Sequence, residues 1–231
     1  MRRSTALFAS TALALSIGCT MTKQQKPELD PQMSGFLGDA YPKLQPGKEG
    51  QLALRYVSET ANWKQYNSIL LEPVQFWAGA DSKLAPDAQQ MLSTYFYNSL
   101  KAALAKQNFK LTDSPLKGAI RLQVAITDVT KATPVLRTVS VIIPQARLLN
   151  QAQELVTGSY GFSGSAEIAL RATDAKTGEL LAAALDRRSG GGAVQQAAVW
   201  QWGDAQAAID FWTQRCSERL AEIRAKAKAA K

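Results

Sequence analysis

Two stretches of alternating residues constrain the fold of this chain more than any other feature. Residues 120–127 and residues 166–172 place an apolar side chain at every second position. This period of two is typical of a β-strand with one face in the core and the other in water. Residues 174–178 (DAKTG) predict a tight turn with Gly178 in the left-handed conformation, and alternating residues follow it. The sequence therefore predicts an antiparallel hairpin.

Two longer segments have the period of an α-helix. Pro86 suits the first turn of a helix that runs to about Gln107, and Asp204 is a good N-cap for a last helix. Short strands are expected at 69–74 and from Phe109. Because hairpins require antiparallel pairing and alternating strands leave one face for helices, this order predicts an α+β fold. We expect a two-layer sandwich, in which a mostly antiparallel sheet of four to five strands carries two helices packed on one face.

The N-terminus has the features of an export signal. Residues 1–18 combine two arginines with an apolar stretch over 6–17, which suits a signal peptide and is too short to span a bilayer as a helix. Gly18 then precedes Cys19, the arrangement of a lipobox. In this interpretation a diacylglycerol joins the Cys19 sulfur before cleavage, and two or three acyl chains hold the protein on a membrane. An ordinary signal peptide followed by a chance cysteine is the alternative.

The composition divides the rest of the chain into two parts. Residues 19–51 are polar and proline-containing at first and then apolar around 36–41, so we expect a lipid-anchored flexible tether and docking arm. Residues 52–231 are expected to form a single α+β periplasmic domain. An insert at about 131–161 separates two of its strands, and it is either a mobile flap or a part of the core.

The absence of histidine limits the chemistry that the chain can perform. The sequence has no histidine, 27 Lys+Arg against 19 Asp+Glu, and two cysteines. No Ser-His-Asp or Cys-His nucleophile and no His-ligated metal site can be assembled. An enzyme that uses carboxylates and arginines is the remaining alternative, but these residues show no convergent spacing, so we expect no enzyme, catalytic residue, cofactor or metal. With Cys19 acylated, Cys216 has no mate, and we expect it to be a small core residue of the last helix. Nucleic acid is an unsuitable partner because the compartment is wrong and no recognition motif is present.

Arginines at the end of the fifth expected strand are the candidate contact residues. In residues 186–192 (DRRSGGG), Arg187 and Arg188 precede a glycine run whose exposed amides could bind an anion. A solvated strand end with a flexible turn is the alternative. Arg55 is the third possible anion or partner contact.

Several short motifs resemble those of a known family. They are the lipobox, 34–37 (SGFL), 54–57 (LRYV), 72–74 (EPV) with Trp77, 186–188 (DRR), and 202–204 (WGD) with Trp212. In this order and spacing the sequence resembles the bacterial lipoproteins catalogued as domain of unknown function 3313. The resemblance implies a Gram-negative envelope lipoprotein with no established activity, cofactor or catalytic residue. Thr20 stands where an Asp would retain such a lipoprotein in the inner membrane, so the resemblance implies the outer membrane.

These features lead to two hypotheses about function. The first is a non-enzymatic outer-membrane lipoprotein, anchored through Cys19, whose periplasmic domain binds an envelope protein or assembly. The second is a lipid or small hydrophobic ligand-binding or transport auxiliary lipoprotein, which needs an apolar cavity of several hundred Å³.

Overall fold

The computed structural model describes residues 22–27, 35–77, 84–130, 165–189 and 203–230. Two long α-helices in this part are α1 (Pro86–Lys106) and α2 (Gly203–Ala229), and Gly38–Lys43 and Trp63–Gln65 form 3-10 helices. The strands are β1 (Lys23–Gln25), β2 (Gln45–Pro46), β3 (Leu54–Val57), β4 (Ser68–Leu71), β5 (Gln75–Phe76), β6 (Lys110–Leu111), β7 (Ala119–Thr130), β8 (Ser165–Asp174) and β9 (Leu180–Ser189).

All nine strands belong to one mixed sheet. Its main path runs β2-β3-β9-β8-β7-β4-β6, while β1 pairs with β9 and β5 pairs with β7. β4 is parallel to β6 and β7, and β5 is parallel to β7. The remaining pairs are antiparallel. The prediction of a two-layer sandwich with four to five mostly antiparallel strands and two helices is therefore wrong.

The first reason for this error is the length of the additional strands. β1 has three residues, and β2, β5 and β6 have two each. A period of two cannot be recognised in so few residues, since it needs about four to eight. These strands form because longer neighbours present unpaired backbone groups, which is a consequence of the tertiary fold.

The second reason is that the sheet face opposite the long helices is also covered. Phe36, Leu37 and Ala40 are buried there, in a cluster with small residues of β7 and β8 such as Ala125 and Ala169. Small side chains let the segment around the 3-10 helix Gly38–Lys43 approach the sheet closely. The face that was expected to be wet is thus partly a second core.

The helix-side core follows the expected helices closely. α1 begins at Pro86 as predicted and ends at Lys106, within one residue of the expected end. Its buried side chains meet those of α2, and the rings of Phe96 and Trp212 stack with centroids 6.3 Å apart. The apolar positions of β7 and β8 pack beneath both helices.

α1 ends in a Schellman motif that the sequence signals only by an asparagine. Asn108 has φ of 59°, its N–H donates to the carbonyl of Ala105 at 3.0 Å, and the Phe109 N–H donates to that of Leu104 at 3.1 Å. Phe109 and Leu104 are both buried in the same core, the apolar contact that accompanies this cap. The guanidinium of Arg224 on α2 donates to the Gln107 carbonyl at 2.7 Å, so α2 also satisfies the end of α1.

The predicted β8–β9 hairpin is confirmed. The strands pair antiparallel, and Gly178 has φ of 77° in the turn. Asp174 closes the turn by accepting the N–H groups of Lys176 and Thr177, each at 2.8 Å.

An irregularity between β8 and β9 redirects the side chains of β9. The register shifts after the Ala172↔Ala182 pair. As a result Leu181 packs in the helix-side core, whereas Ala183 and Leu185 pack on the opposite face. A bulge exchanges the two faces of a strand, so three apolar residues at even spacing do not share one face.

Several predictions fall on residues outside the described part of the chain. They are the signal peptide 1–18, Cys19, the insert at 131–161 and the glycines at 190–192. Within the segment 19–51, Lys23–Gln25 forms β1, and Phe36 and Leu37 are buried. In the described residues no helix is both long enough and apolar enough to cross a membrane.

Candidate functional site

The Arg188 side chain ties the N-terminal segment to the domain. Its Nε donates to the Thr22 hydroxyl and its Nη2 to the Thr22 carbonyl, both at 2.7 Å. The guanidinium lies 3.6 Å from the ring centroid of Phe211 on α2. Only 8% of Arg188 is exposed, so its charge is used inside the protein.

Asp186 is the fully buried carboxylate beside Arg188. It accepts hydrogen bonds from Gln24 Nε2 at 2.6 Å, from the Ala53 N–H at 2.8 Å and from Trp212 Nε1 at 2.7 Å. Arg188 Nη1 lies 3.8 Å from it. Burial raises the pKa of Asp186, while the hydrogen bonds and the charge of Arg188 oppose that shift. One carboxylate thus joins β1, the chain before β3, and α2.

We call Thr22, Gln24, Asp186, Arg188 and Trp212 the clasp. Its strand pairing is continuous with its side-chain contacts, because β1 pairs with the end of β9 in the register Lys23↔Ser189 to Gln25↔Arg187. β8 occupies the other edge of β9, and β3 pairs with β9 further along. β1 therefore lies on the same edge of β9 as β3.

The structure places the three arginines predicted as contact residues in three different surroundings. Arg188 belongs to the clasp. Arg187 directly precedes Arg188 on β9, so its side chain leaves the opposite face of the strand. It is in register with Glu167 on β8 and Gln25 on β1. Arg55 lies on β3, opposite Ala184, away from both of them.

Arg55 lies on the rim of a groove between α2 and the β3–β9 part of the sheet. The groove has a volume of about 200 Å³. The apolar side chains that line its base, which we call the floor, are those of Leu52, Val57, Ala182, Cys216, Leu220 and Ile223. Its charged rim is formed by Arg55, Arg215, Glu218, Arg219 and Glu222.

The charges on this rim are unequally balanced. On α2, Arg219 Nη1 lies 3.0 Å from Glu222 Oε2, and Arg215 Nη1 lies 3.9 Å from Glu218 Oε2. Arg55 Nη1 instead donates to the neutral amide oxygen of Gln51 at 2.8 Å. Burial and the nearby charge of Arg219 lower the pKa of Arg55. The groove thus holds a partly desolvated guanidinium that another guanidinium repels.

Cys216 forms part of the groove floor without being a reactive thiol. Burial raises its pKa to about 12, so the thiol stays protonated at neutral pH. It is a free, buried cysteine, in agreement with the prediction of a small core residue on the last helix. Among the residues that the structure describes, no group of histidine, cysteine and carboxylate side chains is arranged to hold a metal ion.

Sequence reasoning missed most of the groove. Arg215 and Arg219 are spaced by four residues, and Glu218 and Glu222 repeat that spacing, so each pair shares one side of α2. This repeat was a usable signal for a charged helix edge. Its position beside Arg55 required the packing of α2 on β3 and β9.

Comparison with known sequences identifies the family of this chain. Residues 32–216 match the family described as "Protein of unknown function (DUF3313)". The chain belongs to this family, which confirms the resemblance found in its motifs. No curated protein matches the chain. Membership of this family shows that the chain is related to its other members, and it assigns no activity to the chain.

Solved structures of low sequence identity are similar to this chain. The PelC dodecamer from Paraburkholderia phytofirmans has a TM-score of 0.39 and 10% identity, and the match covers 71% of this chain and 94% of that one. A DUF4136 family protein from Bacteroides thetaiotaomicron has a TM-score of 0.36 and 12% identity, with the same two coverages. A hypothetical protein from Chlamydia trachomatis has a TM-score of 0.32 and 14% identity, covering 71% of this chain and 99% of that one.

Proposed function

We propose that this protein is a non-enzymatic outer-membrane lipoprotein, anchored through Cys19, whose periplasmic domain binds at the membrane surface. The observation that carries the proposal is the clasp. Arg188 holds both the hydroxyl and the carbonyl of Thr22, three residues after Cys19. Three residues span at most about 11 Å when fully extended. A lipid on Cys19 would therefore hold the folded domain close to the bilayer.

The cost of the clasp supports a role in anchoring. Removing Asp186 and Arg188 from water is expensive, and it is offset only because nearly every polar group finds a partner. A segment that merely trailed from the domain would need no such cluster. The clasp lies at the point where a pull on an acylated N-terminus would reach the folded domain, so its desolvation cost falls at that point.

A binding role suits the chain better than a catalytic one. The sequence has no histidine, and Asp186, the most buried carboxylate in the described part of the chain, accepts from three donors. The rim of the groove, in contrast, offers charge and apolar surface together. We propose an envelope protein or assembly as the partner of this domain, reached from its membrane-anchored position.

A lipid carrier is the less favoured candidate on the size of the groove. Pockets that enclose a small molecule have volumes of about 300–1,000 Å³. The groove, at about 200 Å³, is smaller than this range. It would accept part of a hydrophobic ligand, whereas a carrier must shield the whole apolar chain.

Substitution of the anchor residue tests the proposal directly. Cys19→Ala should move the protein from the membrane fraction to the soluble periplasmic fraction, and mass spectrometry should show the loss of the acyl chains. Cys216→Ala is the matched control, because it removes the other cysteine of the chain, and it should leave the protein in the outer membrane. Retention of the Cys19→Ala protein through a sodium carbonate wash would contradict the anchor.

The partner is tested by crosslinking in intact envelopes. A photo-crosslinker at Arg215 on the groove rim should capture a defined envelope protein. A crosslinker at Lys101, on the exposed side of α1, is the control and should not capture the same protein. Equal capture from both positions would contradict a specific binding surface.

A further inference from the structure

The groove carries a positive charge that the domain itself does not neutralise. Both glutamates of the rim are engaged by arginines of α2, as the Arg219–Glu222 and Arg215–Glu218 distances show. Among the described residues Arg55 makes no ion pair, and its hydrogen bond goes to the neutral amide oxygen of Gln51. A partly buried cation is costly unless an anion approaches it. The rim is therefore suited to an anionic group between Arg55 and Arg219.

The floor beneath this charge is apolar. Leu52, Val57, Leu220 and Ile223 pack as partly or fully buried side chains at the edge of the helix-side core. The groove volume of about 200 Å³ is below the range of about 300–1,000 Å³ of pockets that enclose a small molecule. This space takes a short run of methylene groups and is too small for a whole acyl chain. A ligand that fits has an anionic group on the rim and a short aliphatic part within reach of the floor.

The groove also lies beside the clasped N-terminal strand. Gln51 lines the groove, and its carbonyl accepts the side-chain amide of Gln24 on β1 at 2.8 Å. Gln24 is five residues after Cys19, a distance of at most about 18 Å along an extended chain. If Cys19 carries the acyl chains, the groove stands near the surface of the bilayer, where anionic phosphates are the most abundant ligands of this chemistry.

We propose that this groove binds one anionic membrane phospholipid, with its phosphate on Arg55 and the first methylenes of one acyl chain on the floor. The source of the ligand rests on the proposed membrane anchor. A phosphate accepts two parallel N–H groups from a guanidinium, and here it would also separate Arg55 from Arg219. Binding would give the anchored domain a fixed orientation on the membrane, which the lipid on Cys19 alone does not.

Vesicle binding tests this inference without the lipid anchor. The probe is the otherwise complete mature chain with Cys19→Ala, mixed with phosphatidylcholine vesicles that contain or lack phosphatidylglycerol, at an ionic strength of about 0.15 M. Arg55→Gln removes the charge, and Ala182→Phe fills the groove without changing charge. Lys101→Gln is the control, because it removes one exposed positive charge on α1, away from the groove. A thermal melt of each variant confirms that it folds.

We expect the parent chain to bind the vesicles with phosphatidylglycerol and not those without it. Arg55→Gln should weaken this binding about tenfold or more, as the loss of a charged hydrogen-bond donor does. Ala182→Phe should weaken it as strongly, while Lys101→Gln should change it less than about twofold.

Three results would overturn the inference. Equal weakening by Arg55→Gln and Lys101→Gln would show adsorption by net charge alone. Full binding by a folded Ala182→Phe chain would show that the groove is not used. Absence of vesicle binding by the folded parent chain would show that the groove takes no membrane phospholipid, whatever a crosslinker at Arg215 captures. None of these results bears on lipidation of Cys19, which mass spectrometry decides separately.

Discussion

The clasp and the groove use arginine in opposite ways. In the clasp, Arg188 is buried, hydrogen-bonded to Thr22 and close to Asp186, so its charge is satisfied within the domain. In the groove, Arg55 is partly exposed and faces another arginine and a neutral amide. The difference is that the buried charge of Arg188 has its partners within the domain, whereas the partly desolvated charge of Arg55 has no anion there.

The same comparison explains why Arg187 and Arg188 alone were an incomplete guide to a site. The sequence presents them as equal neighbours at a strand end. Successive side chains of a strand point to opposite faces, so the two lie in different surroundings. Only Arg188 reaches Thr22 and the Phe211 ring.

The largest expected effect is the loss of the clasp carboxylate. Asp186→Ala should lower the free energy of unfolding by about 3–5 kcal/mol, because it leaves Arg188 buried without its counter-charge and three donors without an acceptor. Urea unfolding monitored by circular dichroism measures this change. Asp39→Ala is the control, since Asp39 is mostly exposed in its ion pair with Arg171, and it should cost less than about 1 kcal/mol. Equal costs would mean that the clasp is no more structural than a surface ion pair.

The next prediction separates the hydrogen bond that Trp212 donates to the charged Asp186 from the packing of the Trp212 ring. Trp212→Phe removes the donor to Asp186, and Trp63→Phe removes a donor to the neutral Ser58 carbonyl at 2.9 Å. Both tryptophans are buried, so the two variants lose similar packing. A hydrogen bond to a charged group is worth about 1 kcal/mol more than one to a neutral group. The urea midpoints should show Trp212→Phe to be less stable by about that amount, and the reverse order would break the comparison.

A second buried carboxylate sharpens the comparison through its pH dependence. Burial acts to raise the pKa of Asp174, but hydrogen bonds from the Thr177 and Lys176 N–H groups and the Tyr66 hydroxyl outweigh it, so that this pKa is lowered. Burial and Asp174 raise the pKa of Tyr66 to about 12, so Tyr66 remains a donor at neutral pH. Asp174 therefore contributes stability that is present above its unfolded pKa of 3.8 and is lost as pH falls through its lower folded pKa.

Asp174→Asn measures that contribution. At pH 7 the variant should be less stable by about 1 kcal/mol, the value of one altered buried hydrogen-bond network. As the pH falls from about 5 into the acid range, the parent should lose more stability than the variant, so the difference between their urea midpoints should shrink. A difference that stays constant with pH would show that Asp174 does not act through its charge.

The smallest effect on stability is expected at the groove. Arg55→Gln should change the free energy of unfolding by less than about 0.5 kcal/mol, because it removes no internal ion pair and relieves repulsion by Arg219. A thermal or urea unfolding curve measures it alongside Asp186→Ala. A loss comparable to that of the clasp variant would show that Arg55 is structural, and the contrast between the two regions would disappear.

The long elements of the fold could be predicted because each carries its own period. Residues 86–106 repeat every three to four positions and residues 166–172 every two, and local patterns of this length determine element type. The turn at Gly178 was also predictable, since a residue without Cβ adopts positive φ at no steric cost. The additional strands could not be predicted in this way, because two or three residues hold no pattern.

The sites divide in the same manner. Arg55, Arg187 and Arg188 were recognisable as candidates from residue type alone, and the repeat of Arg215 and Arg219 was a signal that went unused. Burial and partners decided what each one does. These depend on contacts between residues as distant in the chain as Thr22 and Arg188, which no local pattern contains.

The sequence by itself determined the two long helices, the central hairpin and the family of the protein, because these depend on neighbouring residues and on ordered short motifs. The tertiary structure decided the breadth of the sheet, its second covered face and the roles of its arginines. The physical reason is that the state of a charge is set by what surrounds it in space. Asp186 and Arg188 stand next to Arg187 in the chain, yet residues far away in sequence make them the interior of a clasp.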